Sequence, residues 1–325
     1  MIIDKELFNT FLNAAEQGDA KATYNLGCCY GNGEGTEKDT EKAFTLYQKA
    51  AEAGYIHAQI AVARCYEYGL GVKTDEKAAF SWYKRAAEQN DAKGECLLAE
   101  CYRDGTGTDV DYEEAIRYFT LSAEKDYAEA QYELGLLYEI GRNNNRTHYT
   151  RNAPISGKSI NEACALHNSG NRYYFGNGTE RDFKKSVYWF GRAAQNNHRS
   201  AQFRLANCYF FGKGTKRDYE KAVHWYTLAA QSGDIDAQYN LGNCYHFGLG
   251  VAKDDKKAAE WYALAAYEGD PGAQYNLGNC YYYGEGTEQS AEQAEIWWSA
   301  SADVGNRHAK AALKLLKKNK KINTY

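Results

Sequence analysis

Three residue sets in this sequence could carry chemistry: nine cysteines, seven histidines and a recurring Gly-x-Gly. Clustered cysteines could hold zinc or close disulfides, a His-Glu-x-x-His helix could activate a metal-bound water, and a glycine-rich turn could cradle phosphate. The spacing favours none of these. Cys29, Cys65, Cys101, Cys208, Cys244 and Cys280 share one slot, each just before a tyrosine, and recur at 36-residue steps within each run of three. Equivalent neighbouring helices lie at least ~8–10 Å apart, whereas a disulfide needs its Cα atoms within about 7 Å. These thiols read as small buried packing groups of a reducing compartment. Cys28, Cys96 and Cys164 form no recurring pair, and without a Cys-x-x-Cys zinc has little support. The histidines are scattered, the run from His167 to Gly170 lacks the frame of a nucleophile elbow, and no carboxylate pair stands apart from acids common to many segments. The Gly-x-Gly recurs seven times as a turn between helices, so we expect no catalysis, no metal and no cofactor.

The elements that hold these residues follow from a fixed period. Ala22, Ala58, Gly94, Ala130, Ala165, Ala201, Ala237, Ala273 and Ala309 are 36 residues apart, except for a step of 35 between Ala130 and Ala165. A period in this range means stacked supersecondary units. Counting from the leading residue, Ala, Leu, Cys and Tyr at positions 1, 5, 8 and 9 share one helical face. Glycines at positions 12 and 14, such as Gly212 and Gly214, end that helix and turn the chain. An acid follows (Asp39, Asp75, Asp111, Asp182, Asp218, Asp254), suited to capping a second helix. That helix carries Lys-Ala, an aromatic pair such as Trp225-Tyr226, and Ala-Ala.

This order of residues, A-x-x-x-L-G-x-x-Y-x-x-G-x-G-x, an acid, then K-A-x-x-W-Y-x-x-A-A-x-x-G, resembles the Sel-1-like repeat, a relative of the tetratricopeptide repeat, from about Ala20 to Ala309. The resemblance implies an all-α fold, a right-handed α/α superhelical solenoid of about eight 36-residue helix-turn-helix repeats that holds other proteins. Cysteine-rich members of the family staple each repeat with a second cysteine, which this chain lacks; that departure supports a reduced, cytoplasmic location. A hydrolase activity suggested for those relatives is an alternative, set against the missing nucleophile–base pair.

The expected organisation is a capping helix over 1–21, repeats 1 to 4 over 22–141, a divergent segment over 142–164, repeats 5 to 8 over 165–308, and a basic capping helix and tail over 309–325. The divergent segment lacks the aromatic pair, contains Pro154, and has capping-box spacing from Ser159 to Glu162. Three readings of it stand: a functional loop or hinge, a degenerate repeat, or a stretch out of frame. A net charge of −4 gives no bulk reason to expect nucleic acid. Lys310, Lys314, Lys317, Lys318, Lys320 and Lys321 could form a nucleic-acid patch, but such a run is more often the solvated face of a capping helix. No apolar run reaches membrane-spanning length, and the acidic start from Met1 to Glu6 does not read as an export signal. A monomer is the simplest assembly.

Positions that packing does not need point to a partner. With 1, 5, 8 and 9 inward, positions 3, 4, 7, 10 and 11 fall on the opposite side, the concave side of tetratricopeptide-like arrays. Position 7 is Asn171, Asn207, Asn243 and Asn279 in the last four repeats; position 4 adds Asn168, Asn240 and Asn276. Positions 10 and 11 supply Tyr174-Phe175, Phe210-Phe211, His246-Phe247 and Tyr282-Tyr283. Asparagine both donates and accepts, matching the backbone of a polypeptide. We therefore expect a concave groove, formed by Asn171, Asn207, Asn243, Asn279, Asn240, Asn276, Tyr174, Phe210, His246 and Tyr282, that holds an extended or helical segment of another protein. The competing reading has the aromatics filling seams and the asparagines bonding neighbouring backbone. In the first four repeats position 7 reads Cys28, Arg64, Glu100 and Leu136, a more charged surface.

Overall fold

The computed structural model describes residues 5–140 and 181–322, and among these residues it contains sixteen α-helices and no strand. The chain divides into two compact units, residues 1–181 and 182–325. The first contains α1 (Lys5–Glu16), α2 (Ala20–Asn32), α3 (Thr40–Glu52), α4 (Ile56–Tyr68), α5 (Glu76–Glu88), α6 (Ala92–Asp104), α7 (Tyr112–Glu124) and α8 (Ala128–Ile140). The second contains α9 (Phe183–Gln195), α10 (Arg199–Phe211), α11 (Tyr219–Gln231), α12 (Ile235–Phe247), α13 (Asp255–Tyr267), α14 (Pro271–Tyr283), α15 (Ala291–Asp303) and α16 (Arg307–Ile322). Within each unit every helix packs on the next, so each unit is an all-α stack of helical hairpins. The segment over 142–164 and Cys164 lie outside the described residues.

Local chemistry sets the boundaries. Asp39, Asp75, Asp111, Asp182, Asp218 and Asp254 each accept a backbone N–H in the first turn of the helix they precede, and Ser290 does so for α15. Each cap satisfies an amide that a helix N-terminus otherwise leaves open. Position 12 ends the first helix in left-handed conformation: the Gly212 N–H donates to the Cys208 carbonyl, and Gly248 and Gly284 repeat this on Cys244 and Cys280. The recurring cysteine thus has a small buried side chain and a carbonyl that closes the helix.

The glycine at position 14 joins one hairpin to the next. A Cβ on Gly214 would fall 2.0 Å from the Phe183 carbonyl oxygen, at the start of the preceding second helix. Gly71, Gly107 and Gly286 meet Thr40, Glu76 and Asp255 in the same way, also at 2.0 Å. Backbone touches backbone at each of these seams, and only glycine leaves room.

The core follows the expected face, with two refinements. Ala201, Leu205 and Cys208 are buried, as are Ala237, Leu241 and Cys244, and the latter three pack with Ala222, Tyr226, Ala229 and Ala230 of α11. Tyrosine at position 9 is half-buried and reaches the preceding second helix: Tyr30, Tyr66 and Tyr102 set their rings edge-on to Phe8, Phe44 and Phe80 at 5.3–5.6 Å. The second refinement is a buried glutamine at position 2. Gln59, Gln131, Gln202, Gln238 and Gln274 donate from Nε2 to Ala51, Ala123, Ala194, Ala230 and Ala266 carbonyls of the preceding second helix, at 3.0–3.3 Å. Each of these carbonyls also accepts a backbone N–H from the turn that follows, from Gly54, Asp126, Asn197, Gly233 and Gly269, so the glutamine takes the second lone pair and ties the next hairpin to that turn.

All eight described cysteines are free thiols, seven of them buried. Burial pushes the Cys65, Cys244 and Cys280 thiols up to about 12, which keeps them protonated and poorly nucleophilic. No group of three or more potential metal ligands converges among the described residues. None of the described helices is long and apolar enough to cross a membrane.

Candidate functional site

The first helices of the second unit carry Asn207, Asn243 and Asn279 at the same register of α10, α12 and α14. Each is half-buried and held by the second helix of its own hairpin. The Tyr226 hydroxyl donates to Asn207 Oδ1 at 2.6 Å, and Tyr262 to Asn243 Oδ1 at 2.7 Å. In the last hairpin Trp298 Nε1 takes the place of the phenol and lies 3.2 Å from Asn279 Oδ1. Indole N–H is only a donor, so the atom facing it must be the amide oxygen. Burial raises both the Tyr226 and Tyr262 phenols well above their usual range, so each stays a protonated donor.

The arrangement divides the asparagine into two functions. Its oxygen is committed to the fold, while Nδ2 of Asn207, Asn243 and Asn279 has no hydrogen-bond partner among the described residues. Neighbouring hairpins are linked through the same set: Asn276 Nδ2 donates to Asn243 Oδ1 at 3.4 Å. Asn240 is half-buried at the register of Asn276. The ladder therefore offers amide donors, where the residue types alone promised both donors and acceptors.

Position 10 serves the hairpin more than the surface. Phe210 packs edge-on to Tyr219 at 5.0 Å and tilts against Tyr226 at 6.2 Å; Tyr282 packs on Trp298 at 5.2 Å. His246 Nδ1 sits 2.9 Å from Asp255 Oδ1, and Lys253 pairs with the other oxygen at 3.1 Å. These two partners hold Asp255 below the usual carboxylate range against the opposing effect of burial. Position 11 is the exposed member of each pair: Phe211, Phe247 and Tyr283 are 61%, 65% and 64% exposed. An i, i+4 step puts each of these rings beside the asparagine on its helix. The signal was present in the sequence, since the aromatic pair that follows each asparagine contains one ring the core takes and one it leaves. Asn171 and Tyr174 lie outside the described residues.

The first unit builds the same register differently. Tyr83 donates to Glu67 Oε2 at 2.8 Å, three residues beyond the position-7 Arg64. In the next hairpin Phe119 replaces the tyrosine, so Glu100 has no phenol to hold it. Burial pushes the Glu100 carboxyl up to about 8; the Arg103 guanidinium opposes the shift, and Glu133, Asp104 and Glu129 add to it. Arg103 is itself bound at 2.9 Å to Asp104 and at 2.6 Å to Glu133. A half-buried asparagine row beside exposed rings is thus seen in the second unit.

Comparison with known proteins agrees with the hairpin order. The Sel1 repeat matches residues 20–55, 56–91, 92–127, 128–146, 165–198, 199–234, 235–270 and 271–306. Each complete interval within the described residues spans one first helix and one second helix. No curated protein sequence matches the chain. Similar solved structures include a Sel1 repeat protein from Oxalobacter formigenes, 29% identical over 80% of this chain and 90% of that one, with a TM-score of 0.61. Another is c5321, a protective antigen of uropathogenic Escherichia coli strains displaying an SLR fold, 31% identical over 96% of this chain and 67% of that one, with a TM-score of 0.47. Matched eight times along its length, and hairpin for hairpin where its helices are described, this chain belongs to the Sel1 repeat family.

Proposed function

We propose that this protein is a non-catalytic, cytoplasmic interaction scaffold that binds a segment of another protein along the first helices of its second unit. Family membership supports a protein-interaction role in general. The observation that carries the finer reading is the row of amide nitrogens on Asn207, Asn243 and Asn279, oriented from behind by Tyr226, Tyr262 and Trp298. A polypeptide in extended conformation presents carbonyl oxygens with no internal partners, and a line of fixed donors suits them. Phe211, Phe247 and Tyr283 supply apolar surface beside the donors, as binding sites for chain segments commonly do. Binding of this kind needs no reaction.

The test replaces Asn207, Asn243 and Asn279 together by alanine in the full chain and compares affinity capture of partner proteins. Half-buried and bonded through one atom, these residues should change without loss of the helical circular-dichroism signal. The proposal expects capture to fall at least tenfold. Undiminished capture by a folded triple variant would refute it.

A further inference from the structure

The second unit's first helices and the turns after them differ in charge from one hairpin to the next. Residues 199–217 carry Arg199, Arg204, Lys213, Lys216 and Arg217 with no acid, a net of +5. Residues 235–253 carry one of each sign, Asp236 and Lys253. Residues 271–289 carry Glu285 and Glu288 with no base, a net of −2. The gradient runs across the same helices that hold the asparagine row.

Its two ends are available. Lys213, Lys216 and Arg217 are exposed in the turn after Phe211, and none has an ion-pair partner among the described residues. Lys213 Nζ stands 5.8 Å above the exposed Phe211 ring, which places this charge at the edge of the aromatic row. Glu285 and Glu288 are exposed in the matching turn after Tyr283, and neither has an ion-pair partner among the described residues. The middle hairpin is neutralised internally, since Asp255 takes both Lys253 and His246. A hydrogen-bond ladder alone is nearly symmetric and would accept a chain in either direction. The charge gradient removes that symmetry.

We infer that the second unit selects an extended segment with a charge order: acidic side chains at the end over α10, apolar side chains along Phe211, Phe247 and Tyr283, and no acid at the end over α14. The inference rests on the peptide-binding reading above and adds the guest's composition and polarity to it. Directly packed helices are spaced by roughly 10 Å, about three residues of extended chain at ~3.3 Å each, and α10, α12 and α14 are first helices of successive hairpins at no less than that spacing. Apolar residues of the guest should therefore recur at a regular interval of three or more positions. Opposite charges at exposed sites give modest affinity but strong discrimination against the wrong partner.

The experiment pans a random dodecapeptide phage library on the immobilised full chain, on its K213E/K216E/R217E variant, and on the Asn207, Asn243 and Asn279 triple alanine variant. The expected peptides carry acids clustered at one constant terminus and apolar residues at a regular interval of three or more. The charge-reversal variant should bind them about three- to tenfold more weakly at low salt and should enrich peptides without that acidic end. A second variant, E285K/E288K, should admit acids at the opposite terminus. Enriched peptides with no acidic bias, or a bias that neither charge variant moves, would overturn the inference while leaving the peptide-binding reading intact. No enrichment at all, or enrichment that the triple alanine variant retains in full, would overturn that reading and the inference with it.

Discussion

Replacing Gly214 by alanine tests the seam on which the stack depends. At this position φ is +71°, and the added Cβ would meet the Phe183 oxygen at 2.0 Å, its carbon at 2.4 Å and its Cβ at 2.9 Å. The left-handed backbone alone costs an L residue about 1–2 kcal/mol. Lower entropy of the unfolded chain returns about 0.4–1 kcal/mol. An overlap of about 1 Å with backbone cannot be relieved by a rotamer change; the α9 end or the turn must move, at about 1–3 kcal/mol. The sum is about 3 kcal/mol. Gly233 is the control, with φ of +81° and only the Arg199 guanidinium nearby at 3.9 Å, so its alanine variant should lose about 1 kcal/mol or less. Urea denaturation followed by circular dichroism, with hydrogen exchange resolved by helix, measures both. Exchange should rise first in α9 and α10, since nearest-neighbour contacts carry the stability of a repeat array. Equal losses at Gly214 and Gly233 would refute the reasoning.

Two further outcomes follow from side chains behind the first-helix face. Tyr226→Phe leaves Asn207 Oδ1 without its 2.6 Å donor and should cost about 1 kcal/mol in urea denaturation, with a double-mutant cycle against Asn207→Ala returning most of that as coupling. Glu100→Gln should stabilise the protein increasingly as pH rises. A carboxyl raised from 4.5 to about 8 holds its proton better in the folded state, so its contribution is complete below about pH 4.5 and is lost through about pH 8. At about 1.4 kcal/mol per unit the bound is about 5 kcal/mol, and water contact at the half-buried group reduces it to about 1–2 kcal/mol. Thermal denaturation should show variant and parent alike at pH 4.5 and the variant more stable at pH 8.5; the reverse order at high pH would contradict the assignment.

Much of this architecture is legible from the residues because the same local choices recur. Asp218 and Gly212 announce a cap and a stop by type alone, and Ala201, Leu205 and Cys208 announce one buried face. Gln202 is not legible in this way: a polar residue next to the buried alanine looks like surface until its bond to the Ala194 carbonyl is seen. Position 14 is legible as a glycine, but its reason, contact with the preceding hairpin's backbone, depends on how hairpins stack. The site divides similarly. Asn207, Asn243 and Asn279 stand out by repetition, whereas the commitment of their oxygens depends on a phenol or indole nineteen residues later in sequence. Helical period also groups positions 10 and 11 together, and only packing against Tyr226 and Trp298 separates the structural ring from the exposed one.

The central claim, that the second unit's asparagines give their amide hydrogens to a guest chain, can be read directly. Selective 15N labelling of asparagine makes the side-chain amide pairs of Asn207, Asn243 and Asn279 visible by NMR, with single Asn→Ala variants assigning each. Titration with a captured partner segment should shift all three pairs in parallel and to saturation, while their oxygens stay bound to Tyr226, Tyr262 and Trp298. A segment that binds to saturation and leaves all three amide signals where they were would contradict the account.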